Sequence, residues 1–203
     1  METFMRKYSF WLTSLLGVVA LCVLVVGWNQ IDMLHKLPIM YIVALALHET
    51  EELKLPGGFI EMVTDMTGLQ LKNLGMAKFG LLMFTLYATV LPAFLAGWVW
   101  PVMSTLFIGI IEIIMHLVAA RINKKRFYSP GLITAVLVQF PVAVYGYYYL
   151  YSNDLVKGIY WLWAILLLIV PLLLIQRAIV VSSGLSYREF VNDARKALFS
   201  RKK

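Results

Sequence analysis

The sequence predicts an all-α, polytopic membrane protein: a transmembrane helix bundle of about six spans with an interfacial segment and an amphipathic C-terminal helix. Three observations carry this expectation. Of 203 residues, 61% are hydrophobic and only 14% charged, against roughly 25% charged in an ordinary soluble domain. Apolar runs long enough to cross the hydrocarbon recur along the whole chain. Lys and Arg concentrate in alternate connections between those runs. The runs leave no room for a soluble domain, so a single integral membrane domain over residues 1–203 is expected.

The first span, near residues 8–28, follows a basic start. Its apolar stretch of about 20 residues is too long for a signal peptide core and no small-residue cleavage site follows, so it reads as a retained helix. The second, 37–55, has only eleven residues before His48. Extended to Leu55 it holds 19 residues, about 28 Å of helix. Pro38 is tolerated in its first turn, and Pro56, Gly57 and Gly58 end it. Four further spans are expected near 79–100, 101–121, 131–151 and 158–180. Between the second and third, Phe59, Met62, Val63 and Met66 recur at helical spacing with Glu61 and Asp65 on another face, which predicts an interfacial or re-entrant helix over 59–74. The tail, 186–203, opens with the capping-box pattern Ser-Tyr-Arg-Glu and sets Phe190, Val191, Ala194 and Leu198 on one face among basic residues. It predicts a helix lying on the inner leaflet.

Charge gives the orientation. Arg6 and Lys7, then Lys54, Lys72 and Lys78, then Arg121, Lys124, Lys125 and Arg126, and finally Arg177 and the basic tail fall on one side; the other side holds Lys36 and Lys157. A multi-pass protein of the cell membrane with both termini cytoplasmic fits this bias. Trp28, Trp98, Trp100, Trp161 and Trp163 then gather toward the outer interface as anchors. The net charge of +7 is explained by orientation and anionic lipid, and no nucleic-acid partner is expected. Cys22 is the single cysteine, which excludes an intrachain disulfide and a cysteine-based zinc site.

The chemistry lies in two polar groups inside these spans. On a helix His48, Glu51 and Glu52 share a face at i, i+3 and i+4, while Glu49 points elsewhere, toward lipid headgroups. Glu112 and His116 stand at i and i+4 on the fourth span. His48 lies roughly 16 Å beyond Leu37, and Glu112 and His116 roughly 16 and 22 Å beyond Pro101. Two imidazoles and up to three carboxylates therefore share one layer in the cytoplasmic half. Hydrogen bonds between helices can satisfy such groups, and Glu51 and Glu52 can sit in headgroup water. A divalent metal ion satisfies several at once, and the matching depths favour it. Zinc is the first choice, with di-iron or manganese as alternatives. The candidate ligands are His48, Glu51, Glu52, Glu112 and His116, with Glu51 and Glu112 as candidate catalytic groups. Lys124, Lys125 and Arg126, with the hydroxyls of Tyr128 and Ser129, form a candidate site for a lipid phosphate beside the start of the fifth span.

The residues "LHETEE" followed by "LPGGF", the segment "IEIIMHL" and "RFYSPGLITAVL" resemble the small multispanning membrane proteins named for an HXXEE motif. The resemblance implies a metal-binding or enzymatic membrane protein without assigning an activity. It makes His48, Glu51, Glu52 and His116 the characteristic polar residues, with Pro56, Gly57, Gly58, Tyr128, Ser129, Pro130, Gly131 and Thr134 in associated motifs. It also implies asparagine at the position of Glu112 in relatives, which would make Glu112 an accessory group.

A metal-dependent hydrolase acting on a lipid or other hydrophobic substrate at the cytoplasmic side is the expected function, since no electron-transfer cofactor motif is visible. The alternatives are a carboxylate-bridged di-iron oxidoreductase and an ion or small-molecule transporter using the same residues.

Overall fold

The computed structural model describes residues 2–62, 74–122 and 128–199, and among these the chain is helical with no strand. Six long helices follow one another. The first, α1, is Glu2–Gly27 and α2 is Met33–Leu53. Helix α3 begins as Leu74–Thr85, loosens into a π-helical turn over Leu86–Val90 and finishes as Leu91–Phe94. Helix α4 is Val99–Ile122. Helix α5 starts as Leu132–Thr134, passes a second π-helical turn at Ala135–Gln139 and continues as Phe140–Ser152. Gly158–Ser182 is α6, and a shorter α7 spans Tyr187–Phe199.

Successive long helices alternate in direction. Leu37 near the start of α2, Val102 near the start of α4, Leu150 near the end of α5 and Ala164 near the start of α6 share one buried cluster with Ala96, just past α3. At the opposite end, Gly80 of α3 meets Ile175 and Ile179 of α6, and the Lys54 ammonium after α2 lies over the Phe10 ring of α1. Small residues set the closest crossings: a Cβ on Gly17 would lie 2.4 Å from the Ala46 Cβ, and one on Gly109 would lie 2.9 Å from the Gln139 carbonyl oxygen. Without a hydrophobic force between helices in lipid, such backbone approach is what packs them.

Among the described residues, four helical stretches are long and apolar enough to cross a membrane: Tyr8–Gly27, Val99–Arg121, Leu132–Ser152 and Gly158–Ser182. The expected third span, 79–100, ends earlier, at Phe94, because the chain turns at residues 95–98 before α4 starts. Helix α2 has 21 residues, about 31 Å. It is not apolar enough, because Lys36, Glu49, Glu51 and Glu52 fall within it. Those three glutamates are buried, whereas Val26, Phe94, Leu137 and Leu174 are more than half exposed. Apolar outside and ionisable inside is the arrangement a bilayer demands.

The ends are built locally. Asp32 caps α2, its carboxylate accepting from the His35 amide at 3.1 Å and pairing with the His35 Nδ1 at 2.5 Å. Burial opposes ionisation there, but the His35 amide and imidazole hold the Asp32 carboxyl below its ordinary value. The chain leaves α2 through Lys54–Gly58 with a cis Leu55–Pro56 peptide and positive φ at Gly57 and Gly58. Beyond it only residues 59–62 of the expected 59–74 helix are described. Helix α7 docks on α6 through the Tyr187 hydroxyl, which donates to Gln176 Oε1 at 3.0 Å.

Candidate metal centre

Helices α2 and α4 each offer an imidazole and a carboxylate one turn apart, and their contact brings the pairs together. The His48 and His116 Nε2 atoms are 3.3 Å apart. Glu52 Oε1 lies 3.5 Å from His48 Nε2 and 3.3 Å from His116 Nε2. Glu112 Oε2 lies 3.7 and 3.6 Å from the same two nitrogens. A tetrahedral zinc site with ion-to-ligand distances of about 2.0–2.2 Å has ligand-to-ligand edges of roughly 3.3–3.6 Å. The separations among the His48, His116 and Glu52 atoms fall within that range. Among the described residues, His48, Glu52 and His116 form a group whose donor atoms lie close enough to hold an ion, and all three are buried. Glu112 stands beside them on the more open side, its side chain 26% exposed.

The far nitrogens explain why the Nε2 atoms face inward. His48 Nδ1 meets Thr134 Oγ1 at 3.1 Å, and His116 Nδ1 meets Ser129 Oγ at 2.9 Å. The Thr134 hydroxyl donates to Glu51 Oε2 at 2.6 Å, so towards His48 it accepts. That places a proton of His48 on Nδ1 and, in the neutral ring, leaves the Nε2 lone pair for the centre. The two imidazole Nε2 atoms and two carboxylates converge here, a donor set that could hold a cation.

Glu51 is not part of this group of four. Its Oε1 accepts from the Ile133 amide at 3.1 Å and from the Tyr128 hydroxyl, and its Oε2 accepts from the Thr134 amide at 2.7 Å and the Thr134 hydroxyl. The carboxylate is therefore the acceptor for the otherwise unpaired amides at the start of α5. The expectation that Glu51 is a ligand or base gives way to this anchoring role, because all its oxygens' partners lie on that helix start. Burial, then the Glu51 carboxylate, push the Tyr128 hydroxyl well above its ordinary pKa.

Tyr128 and Ser129, expected to touch substrate, are thus partners of Glu51 and His116, and Ser129 is fully buried. Lys124, Lys125 and Arg126 lie outside the described residues. Glu49 does not face headgroups. It is 3% exposed and accepts from Thr85 Oγ1 of α3 at 2.7 Å, with Thr13 of α1 as a further hydrogen-bond partner.

Two contributors escape a reading of ionisable residues. Gly131 adopts φ +100°, and a Cβ there would lie 2.5 Å from His116 Cε1 and 2.8 Å from His48 Cε1. Its bare Cα lets the start of α5 press against both rings, and the "YSPG" sequence signals the turn without showing what it presses on. The Phe59 ring lies 5.2 Å from the His116 ring and covers it with the segment that follows α2.

No curated protein and no solved structure matches this chain. A family model does match, over residues 39–146 of the 203, and that stretch carries every side chain of the cluster just described. The chain belongs to the family of proteins of unknown function with an HXXEE motif, here His48-Glu49-Thr50-Glu51-Glu52.

Proposed function

We propose that the protein is a metal-dependent membrane hydrolase acting on a lipid or other hydrophobic substrate from the cytoplasmic side. The observation that carries the reading is the buried triangle of His48, His116 and Glu52 donor atoms, separated by 3.3–3.5 Å, with Glu112 Oε2 within 3.7 Å of both imidazole nitrogens. His48, His116 and Glu52, almost fully buried, would hold the ion, zinc by the donor set. A bound divalent ion supplies a polarised substrate oxygen and a water acidic enough to ionise near neutral pH. Glu112, the most exposed of the four, is the group placed to give way to substrate or to take a proton from water. Glu51 orients His48 through Thr134 rather than reacting. The set converges on one point, which favours a single ion over a bridged di-iron pair. The cytoplasmic assignment rests on the Lys and Arg bias of the connections.

Elemental analysis of the purified protein tests this reading. Wild type should contain about one equivalent of divalent metal, and His48→Ala and His116→Ala should each lose it while staying folded. Folded wild-type protein purified without chelator, dialysed against zinc and still metal-free would sink the proposal.

A further inference from the structure

Among the described residues the fold satisfies its buried polar groups with few exceptions, and most of these fall on two residues. Thr89 donates to the Thr85 carbonyl, Thr105 to the Ala88 carbonyl freed by the first π-helical turn, and Tyr147 to the Met103 carbonyl, all within 2.7–2.8 Å. Four buried side-chain atoms among the described residues have no partner: Ser9 Oγ, Tyr41 Oη, and both Nε2 and Oε1 of Gln139. Tyr41 and Gln139 are each 0% exposed. Native structures rarely leave a whole carboxamide and a phenol unpaired in this way.

These two residues flank the same stretch of α4. Tyr41 packs in a cluster with Ile108 of α4, against which Val142 of α5 also lies. The next α4 residue, Gly109, is the point where the Gln139 backbone crosses. Gln139 closes the π-helical turn of α5, a local widening that recurs at functional sites. The Glu112 carboxylate is within electrostatic reach of the Tyr41 hydroxyl. Along α2, Tyr41 precedes His48 by two turns on the same face, about 10 Å away. On α5, Gln139 follows Thr134, the His48 partner, by about 7 Å. The unpaired atoms thus continue the polar interior beyond the cluster, toward the end of the bundle where α2 and α4 begin.

We propose that Tyr41 and Gln139 form a second polar subsite, which takes a neutral hydroxyl or carboxamide carried by a hydrophobic ligand. Three free atoms define the chemistry. Gln139 Nε2 and the Tyr41 hydroxyl can donate, Gln139 Oε1 can accept, and neither side chain carries a charge, so the matching group both accepts and donates. An ester accepts only and leaves Oε1 unpaired. The inference rests on the reading of the His48, Glu52, Glu112 and His116 cluster as the reaction centre, and it adds a substrate class. The ligand carries an alcohol or amide about 7–10 Å from the bond that meets that centre. Entry requires α5 to part from α2 and α4 at the π-helical turn.

The test uses full-length protein in detergent, with thermal unfolding read in the presence of oleyl alcohol, oleamide or methyl oleate. Wild type should gain several degrees with the alcohol or the amide and little with the methyl ester. Tyr41→Phe and Gln139→Leu should abolish the gain. Without ligand both variants should be at least as stable as wild type, because each removes unpaired polar atoms, and both should keep wild-type metal content. Metal-free wild type that still shows the alcohol shift would separate failure of the reaction-centre reading from failure of the subsite. Any of three results overturns the subsite: no probe shifts wild type, the shifts survive in both variants, or ligand-free Gln139→Leu and Tyr41→Phe unfold earlier, as they would if buried water satisfied those atoms.

Discussion

His48 and His116 approach the same point from parallel helices, yet they are held differently. The His48 Nδ1 proton goes to a hydroxyl whose own proton is committed to the Glu51 carboxylate, so the ring has one tautomer. His116 leans on Ser129, for which no further acceptor is found among the described residues, and that hydroxyl can turn either way. Anchoring therefore decreases across the cluster. The α2 side is locked to the start of α5 through Glu51, and the α4 side is held by packing against Gly131 and Phe59 and ends in the half-buried carboxylate of Glu112. A centre that must both keep an ion and exchange a ligand benefits from this division.

The comparison can be broken outright at the residue both halves share. Gly131→Ala would place a methyl group into both rings at a positive φ, and a loss of about 3 kcal/mol or more in stability is expected, with loss of metal. Chemical denaturation and elemental analysis would read it; a stable, metal-replete variant would show that the contact yields freely. Removing the anchor comes next. Glu51→Gln leaves shape intact but weakens four hydrogen bonds to a charged acceptor, so about 2 kcal/mol of stability should go, and protease should reach the start of α5 sooner.

The difference between the two hydroxyls is the sharpest case. Thr134→Val should weaken metal binding about 10–100-fold, with Thr134→Ser restoring it, whereas Ser129→Ala should cost less than about tenfold. Equal losses in competition titrations with a chelating dye would mean that the commitment of the Thr134 proton to Glu51 does not matter. Far from the centre, Asp32→Ala should remove about 1 kcal/mol through the lost cap of α2 and leave metal affinity unchanged. Because the Asp32 carboxyl is held below its ordinary value, its contribution is complete above about pH 4 and fades as pH falls through the folded-state value. Thermal scans of the wild type and the variant should therefore converge in acid.

Much of this was readable from residue types and spacing. Apolar runs placed five of the six long helices to within a few residues at most ends, because length in hydrocarbon leaves little freedom, and Pro56, Gly57 and Gly58 marked the end of α2. His48, Glu52, Glu112 and His116 could be set at one depth by counting rise per residue. Glu51 could not be separated from Glu52, since neighbours on a helix differ by about 100°, and both remain near the same face until the position of α5 is known. Glu49 was misread for a related reason: the hydroxyls that receive it, Thr13 and Thr85, come from α1 and α3. The π-helical turns leave no mark in hydropathy, so the burial of Gln139 was invisible. Composition reports which residues are costly in a membrane, and only packing reports which neighbour relieves each cost.

The two imidazoles stand 68 residues apart in the chain. A bond to both would close a loop that contains the whole of α3, which contributes no ligand. In polymer terms such a bond is a crosslink, restricting the unfolded chain as well as holding the folded one. A tightly held ion would thus help to determine which helices stay together when the bundle is pulled apart. The same atoms that give the centre its chemistry would then set the order in which the chain comes undone.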